Sequence, residues 1–292
     1  MKVTPAILFL MLSAGSLGAQ DISGGPGPRA VVSLTLMTDE FLAELLEPGR
    51  IRAFGRDVDD AVFSNVTGPA GLVKGRAWMN LELLLSLKPD LVVASDWTDP
   101  DGLDFLRTHG IPVTVVKTPR TWSDVKKRIG DLGSILGAQG RASSLLASLA
   151  ARERALAAVR DRVTRPLSVL EYNSFGSSMG SGTLWDDLLT LAGVKNASGA
   201  LAGDRYGYAA LPIEMLVTLD PDWLVLPSQG ALDAYGKADF LRNLQKDPVF
   251  RNLKAVKTGR ILYLPEALKT STSQAALGAA EAIQHAAYPD LF

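Results

Sequence analysis

The chain has 292 residues, of which 47% are apolar and 21% are charged, a composition that excludes a disordered protein. The chain has 30 Lys and Arg residues and 31 Asp and Glu residues, so its net charge is −1. This charge provides no basic field for a nucleic acid or an anionic membrane. The absence of Cys excludes disulfides, thiolate metal sites and thiol nucleophiles, and the presence of only two His residues argues against a multi-histidine metal site.

The N-terminal sequence is typical of a signal peptide. Lys2 precedes a seven-residue apolar core at residues 6–12, and small residues follow, which predicts a signal peptide at residues 1–19 with cleavage near residues 18–20. The apolar run is much shorter than the ~20 residues of a membrane span. We therefore expect a soluble periplasmic protein without an N-terminal lipid, whose mature chain begins with a flexible Gly- and Pro-rich leader at residues 20–29.

From residue 30 onward, short apolar runs alternate with helical patterns. A helical stretch from Asp39 to Leu46 ends at Pro48 and Gly49. The predicted strands form two series, Val31–Leu36, Ile51–Phe54, Leu91–Ala94 and Val113–Val116, then Leu167–Leu170, Trp223–Leu226 and Ile261–Leu264. Strands interleaved with helices at this spacing predict an α/β fold with mainly parallel sheets.

A long helical segment separates the two series. Residues 138–165 are rich in Ala, Leu, Arg and Ser, and they carry an apolar stripe at Leu145, Leu146, Leu149, Leu156 and Val159. A helix of about 25 residues would be ~37 Å long. The stripe also fits an ordinary core helix, but its central position favours a connector between one lobe at residues 30–137 and a second at residues 166–292.

An internal repeat indicates that the two lobes are similar. Residues 81–93 (LELLLSLKPDLVV) and 213–225 (IEMLVTLDPDWLV) are offset by 132 residues, and six of the thirteen positions are identical, including Glu82 and Glu214. Each copy reads as a short helix, a Pro-Asp break and a buried strand. A single repeat of this length indicates a duplication rather than a solenoid.

The order of motifs resembles the substrate-binding proteins of ABC importers for cobalamin, ferric siderophores and haem. The motifs are NLELLLSLKPDLVVAS, LRTHGIPVTVV and TWSDVKKRIGDLGSILG, then SVLEYNSFGSSMGSGTLWDDLLTLAGVKN, LPIEMLVTLDPDWLVL and VKTGRILYLP, and they cover roughly residues 29–290. The resemblance implies two α/β lobes joined by one long rigid helix, with the ligand in the cleft between them. The segment from Met79 to Glu82 is most similar to the vitamin B12 branch.

The resemblance also implies that Glu82 and Glu214 form salt bridges with arginines of an ABC importer permease dimer. A second interpretation is local. Asn80 fits an N-cap and Pro212 a first helical position, so the helix dipole would favour both carboxylates without a partner. The two roles are compatible, because a glutamate in the first turn still points outward.

A bulky planar ligand requires aromatic side chains around the cleft. The candidates for ligand binding are Trp78, Trp97, Phe175, Tyr206 and Tyr208. Tyr208 and Trp97 correspond most closely to aromatic positions of the vitamin B12 branch, whereas Trp185 and Tyr172 fit core positions equally well. Residues 176–182 (GSSMGSG) lack a phosphate-binding motif and are interpreted as a cleft loop or a flexible turn.

Three ligand types remain open, with cobalamin or a related corrinoid favoured. A ferric siderophore would use Arg56, Arg76 or Arg205, and a haem would use Tyr172, Tyr208 or Met179 as axial ligand. We expect no metal, no cofactor of its own, no nucleic acid and a monomeric state. A binder of free divalent metal ions conflicts with the two His residues, and an exported α/β enzyme is disfavoured because no nucleophile–base–acid set is visible.

Overall fold

The computed structural model describes residues 27–292. The predicted signal peptide and most of the predicted leader lie outside these residues. The end of the leader, which we expected to be flexible, is bonded to the first lobe. The backbone N–H of Arg29 donates to Asp90 Oδ2 (2.6 Å), and the Arg50 guanidinium donates to the carbonyl of Pro28 (2.8 Å).

The first lobe is built on a five-stranded parallel sheet with the order β3-β2-β1-β4-β5. Its strands are β1 (Val31–Ser33), β2 (Ile51–Gly55), β3 (Arg76–Ala77), β4 (Leu91–Ser95) and β5 (Val113–Val116). Its helices are α1 (Leu36–Leu45), α2 (Thr67–Ala70), α3 (Leu81–Leu87), α4 (Pro100–Thr108) and α5 (Trp122–Ile135), after which comes α6 (Gln139–Arg160). Val31 and Val32 of β1 point to opposite faces of the sheet and are buried in two different hydrophobic cores. Because both faces of the sheet are covered, successive residues of the strand are apolar.

The second lobe has a four-stranded parallel sheet with the order β11-β10-β6-β8 and an antiparallel ribbon of β7 and β9. The strands are β6 (Ser168–Glu171), β7 (Ser177–Met179), β8 (Lys195–Asn196), β9 (Tyr208–Ala210), β10 (Trp223–Pro227) and β11 (Ile261–Leu264). The helices are α7 (Leu184–Leu191), α8 (Ile213–Leu219), α9 (Gln229–Ala234), α10 (Phe240–Lys246), α11 (Pro248–Asn252), α12 (Lys254–Lys257), α13 (Glu266–Lys269) and α14 (Leu277–Ala287). The segment at residues 176–182, interpreted from sequence as a loop or turn, contains β7, which lies between Gly176 and Gly180. Gly176 and Gly182 both have φ +69°.

Helix α6 lies between the two sheets in sequence and packs against α1 and α5 of the first lobe and α7 and α14 of the second. It has 22 residues, which at 1.5 Å per residue makes it about 33 Å long. Leu149, Leu156 and Val159 of the predicted stripe are buried, while Leu145 and Leu146 are partly buried against the same core. The core is continuous across the helix, so α6 is packed into both lobes.

The duplicated unit recurs as α3–β4 and α8–β10. In each copy, the Asp after the Pro accepts a hydrogen bond from the backbone that leads into the first strand of its lobe. Asp90 accepts from the N–H of Ala30 (2.9 Å), and Asp222 accepts from the N–H of Ser168 (2.8 Å). The repeated Pro-Asp pair therefore has the same structural role in both lobes.

Each copy also ends its helix with a left-handed residue. Lys88 (φ 47°) and Asp220 (φ 29°) occupy equivalent repeat positions, and within residues 27–292 they are the only non-glycine residues in this conformation. A left-handed backbone costs an L-residue about 1–2 kcal/mol because the Cβ crowds the following carbonyl oxygen.

Replacing Lys88 with Gly removes that crowding at an exposed site. We expect Lys88→Gly to raise the free energy of unfolding by about 1 kcal/mol, measured by urea denaturation. Lys88→Ala is the control, since it retains the Cβ. Equal stability of the Gly and Ala variants would contradict the assignment of strain to this residue.

Candidate ligand-binding site

A cavity of about 570 Å³ lies between the two lobes. The first lobe contributes the segments that follow β1, β2, β3 and β4, and the second lobe contributes residues 270–272 after α13. The carboxyl ends of parallel strands are where open α/β sheets bind ligands. The geometry therefore makes this cavity the candidate site.

Two of the five aromatic candidates lie on the cavity wall. Trp78 follows β3 and is 42% exposed, and Trp97 follows β4 and is 51% exposed. Met37, Phe63 and Met79 extend the apolar lining. Large aromatic side chains that stay exposed inside a concave surface are available to stack on a ligand.

The other three candidates, Phe175, Tyr206 and Tyr208, are exposed but lie outside the lining of this cavity. Tyr208 belongs to the β7–β9 ribbon, and Phe175 and Tyr206 lie in the loops beside it, whereas the second lobe reaches the cavity through residues 270–272. Trp185 and Tyr172, the two ambiguous residues, are buried in cores.

An aromatic row nevertheless connects Phe175 to the cavity. Its ring packs edge-on against Tyr235, which directly follows α9 (5.5 Å between centroids), and Tyr235 packs against Phe63 of the first lobe (5.3 Å). Phe63 lines the cavity, so this row is a contact between the lobes at the cavity margin.

The carboxylate of Glu40 in α1 joins the lobes at another side of the cavity. It accepts hydrogen bonds from Ser271 Oγ (2.7 Å), Asn65 Nδ2 (2.7 Å) and the hydroxyl of Ser273, and Gln274 Nε2 donates to its backbone carbonyl (2.6 Å). Burial raises the pKa of Glu40 above its usual range, against the hydrogen bonds, which lower it. A buried acceptor with three donors from two lobes fixes their relative position.

A buried charged cluster, Glu171, Glu266 and Lys269, lies near Tyr208 in the second lobe. Lys269 Nζ is 3.0 Å from a Glu266 carboxylate oxygen and 3.4 Å from a Glu171 carboxylate oxygen. Burial raises the pKa of Glu171 to about 7. Although the Tyr208 side chain is 43% exposed, its partial burial and the Glu171 carboxylate also raise its pKa, so its phenol resists ionisation.

Glu82 and Glu214 are exposed, and each is the second residue of its helix. Asn80 caps α3 as predicted, accepting the N–H of Leu83 (2.8 Å). The placement of Pro212 at the first helical position is wrong. It has an extended backbone (ψ 147°) and precedes the helix as its N-cap residue, which puts the two glutamates in equivalent positions.

Sequence reasoning missed several cavity residues: Met37, Glu40, Phe63, Met79 and residues 270–272. The run of hydroxyl residues at 270–273 and the acidic pair Asp39–Glu40, in the helix that follows the first strand, were available signals. Neither indicates by itself that the two segments, more than 200 residues apart, meet.

Comparison with known proteins assigns the family. The profile of the periplasmic binding protein family matches residues 65–268. The chain belongs to this family. It is 26% identical over 285 residues to an uncharacterised ABC transporter substrate-binding lipoprotein of Bacillus subtilis, YvrC, covering 94% of this chain and 84% of that one. It is 28% identical over 185 residues to a cobalamin-binding protein of Halobacterium salinarum, covering 63% of this chain and 49% of that one.

A solved structure shows the same fold. The apo form of the periplasmic haem-binding protein RhuT from Roseiflexus sp. RS-1 superposes with a TM-score of 0.74 at 23% identity, covering 91% of this chain and 100% of that one. The predicted family and two-lobed α/β fold are thereby confirmed. Periplasmic binding proteins carry a substrate for transport and hold no cofactor of their own, so the prediction that the chain is not an enzyme is also confirmed.

The chain is therefore a periplasmic binding protein, and its relative YvrC is a substrate-binding lipoprotein of an ABC transporter. The matching family is described as periplasmic, and the relative from Bacillus subtilis is described as a lipoprotein. Both descriptions place these relatives outside the cytoplasm. Within residues 27–292, no helix has the length and apolar character required to cross a membrane.

The fully buried Asp39 shapes the first-lobe wall, because it accepts the N–H of Gly55 (2.8 Å) just before Arg56 and Asp57 enter the cavity. Burial raises its pKa from 3.8 to about 7. Between these values the folded chain holds a proton that the unfolded chain has lost, so the free energy of unfolding falls as the pH rises from 4 to 7.

Asp39→Asn should remove the part of this pH dependence that Asp39 contributes, while the part that Glu171 contributes stays. At 1.4 kcal/mol per pKa unit, the part from Asp39 is on the order of 4 kcal/mol. We expect the variant to match the wild type near pH 4.5 and to exceed it in stability at pH 8, measured by urea denaturation across that range. A difference that stays constant with pH would contradict a raised pKa at Asp39.

Proposed function

We propose that this protein captures a corrinoid in the cavity between its lobes and delivers it to the permease dimer of an ABC importer. The supporting observation is a pair of exposed tryptophans, Trp78 and Trp97, on the wall of a cavity whose charged lining is mostly acidic. Flat aromatic surfaces suit the face of a macrocycle. The cobalamin-binding relative from Halobacterium salinarum supports the same ligand class.

The charge of the cavity disfavours anionic ligands. Glu40, Asp57 and Asp99 line it, against the single cation Arg56. A ferric siderophore with an anionic chelate, or a haem with two propionates, would be drawn to cations, whereas a corrinoid carries neutral amides around its ring. Acidic side chains can accept hydrogen bonds from such amides.

The other two arginines considered for a siderophore are engaged elsewhere. Arg76 pairs with Asp59 through two contacts (2.5 and 2.6 Å), and the guanidinium of Arg205 lies over the ring of Tyr206 (4.6 Å). Neither lines the cavity. A ferric siderophore is therefore less well supported than a corrinoid.

Haem is the second candidate, and one observation favours it. Met179 and Tyr208, two of the possible axial ligands, are directly opposite each other in the β7–β9 ribbon, where side chains project to the same face. A tyrosine binds ferric haem as the phenolate, however, and the raised pKa of Tyr208 opposes ionisation. The electrostatics thus favour a neutral role for Tyr208.

Docking to the permease is proposed to use Glu82 and Glu214. Both are exposed in equivalent positions of the two lobes, and an exposed carboxylate can pair with Arg through two hydrogen bonds. The capping of α3 by Asn80 leaves Glu82 available for this role. We propose that the binding protein docks as a monomer, with one lobe on each permease subunit.

The ligand assignment is tested by titrating the purified mature protein with cyanocobalamin, haemin and a ferric hydroxamate siderophore, by calorimetry and by tryptophan fluorescence. We expect saturable one-to-one binding of cyanocobalamin. Trp97→Ala should weaken it at least about tenfold through lost aromatic contact.

Phe292→Ala is the matched control, since Phe292 is an exposed aromatic residue outside the cavity. If only haemin binds, the ligand is haem and the proposal of a corrinoid is wrong. Binding of cyanocobalamin unaffected by Trp97→Ala would place the ligand elsewhere on the protein.

The docking assignment is tested by uptake of labelled cyanocobalamin into cells whose sole binding protein is Glu82→Gln/Glu214→Gln. We expect uptake to fall at least about tenfold while the purified variant binds cyanocobalamin like the wild type. Glu44→Gln, which alters an exposed glutamate outside the repeat, should leave uptake intact. Wild-type uptake by the double variant would show that these carboxylates do not dock.

A further inference from the structure

Each docking helix exposes an apolar side chain as well as a glutamate. Leu85 of α3 is 41% exposed and Val217 of α8 is 55% exposed. They are separated by 132 residues, the offset of the internal repeat. The same position of the duplicated unit thus presents an apolar side chain to solvent in both lobes.

The backbone around these residues is also equivalent. Each helix has seven residues and buries its fourth, Leu84 or Leu216, and each ends in a left-handed residue before a Pro. Because burial and helix termination match, the exposed face of α3 corresponds residue by residue to that of α8.

Glu82 and Leu85, like Glu214 and Val217, are three residues apart in a helix. Residues at this spacing are neighbours on one face, with Cβ atoms about 5–6 Å apart. Each lobe therefore presents one carboxylate beside one apolar side chain. Neither apolar residue is buried in the core of its own lobe, so both are available to a partner.

We propose that Glu82–Leu85 and Glu214–Val217 are two equivalent docking units, each seated on one of two identical permease subunits. This rests on the proposed docking function and adds its second contact: an Arg or Lys for the carboxylate and an adjacent apolar pocket for Leu85 or Val217. Two matching units on one chain fit a partner with two-fold symmetry, whose subunits offer the same surface twice.

The carboxylates of the two docking units favour the permease, rather than the lipid surface, as their binding partner. A carboxylate beside each apolar residue would be repelled by anionic lipid headgroups, while it complements a cationic side chain on a protein. A patch that only inserted into lipid would carry Lys or Arg at its rim.

Site-specific photo-crosslinking tests the symmetry. The crosslinker p-benzoylphenylalanine replaces Leu85 in one variant and Val217 in another, each is loaded onto membranes of the source organism, and the products are mapped by mass spectrometry. We expect both variants to crosslink to the same short segment of the same permease polypeptide. The matched control replaces Ile135, 45% exposed near the end of α5, and should give no permease product.

Crosslinks to two different polypeptides, to lipid alone, or to nothing would overturn the proposal.

A binding measurement separates the proposed apolar contact from the carboxylate docking on which it rests. The purified permease in nanodiscs should bind Leu85→Ser/Val217→Ser about tenfold more weakly than wild type, with a loss that salt leaves unchanged, whereas the loss in Glu82→Gln/Glu214→Gln should shrink as salt screens the charges.

Wild-type cyanocobalamin affinity shows that each variant is folded. If the Gln variant loses docking and the Ser variant does not, the apolar contact is wrong and the carboxylate docking stands. If neither variant loses docking, both the apolar contact and the carboxylate docking are wrong.

Discussion

Two lobes joined by one helix need a second contact to hold a fixed separation, and the buried carboxylate of Glu40 provides it. Helix α6 is packed into both lobes along its length, so the connection is stiff at that side. Glu40 then joins α1 to Ser271 and Ser273 of the second lobe, and Phe63 meets Tyr235 at the cavity margin. Since lobe closure would have to break a buried hydrogen-bond network, we expect little movement between the lobes.

The proposed function follows from this rigidity. A cavity between fixed walls is formed before the ligand arrives, and affinity then depends on the fit of its lining rather than on closure. The same rigidity keeps the two docking helices at one separation, which a two-fold symmetric permease could recognise. The duplicated Pro-Asp units support this because Asp90 and Asp222 fix each docking helix to the first strand of its lobe.

The sequence was sufficient for the fold because its signals are local: strand–helix alternation, one long Pro-free helix and a repeat with identical Pro-Asp pairs. Trp97 was selected because it follows the predicted strand Leu91–Ala94, and Trp78 because it precedes the Glu82 motif. Both line the cavity, and their contact with a ligand stays a prediction. Glu40 and residues 270–272 could not be paired, since they are over 200 residues apart and meet only when the lobes pack. The position of Tyr208 depends on the β7–β9 ribbon, and β7 is hidden in a Gly- and Ser-rich segment whose composition indicates a loop.

The separation of the lobes with and without ligand tests the central claim most directly. The chain has no Cys, so spin labels can be attached at Ser86→Cys and Thr218→Cys, two exposed and equivalent positions, for pulsed electron-paramagnetic resonance. A rigid frame predicts one narrow distance distribution that shifts by less than about 3 Å when cyanocobalamin saturates the protein. A broad distribution without ligand, or closure by about 10 Å or more on binding, would contradict a preformed cavity.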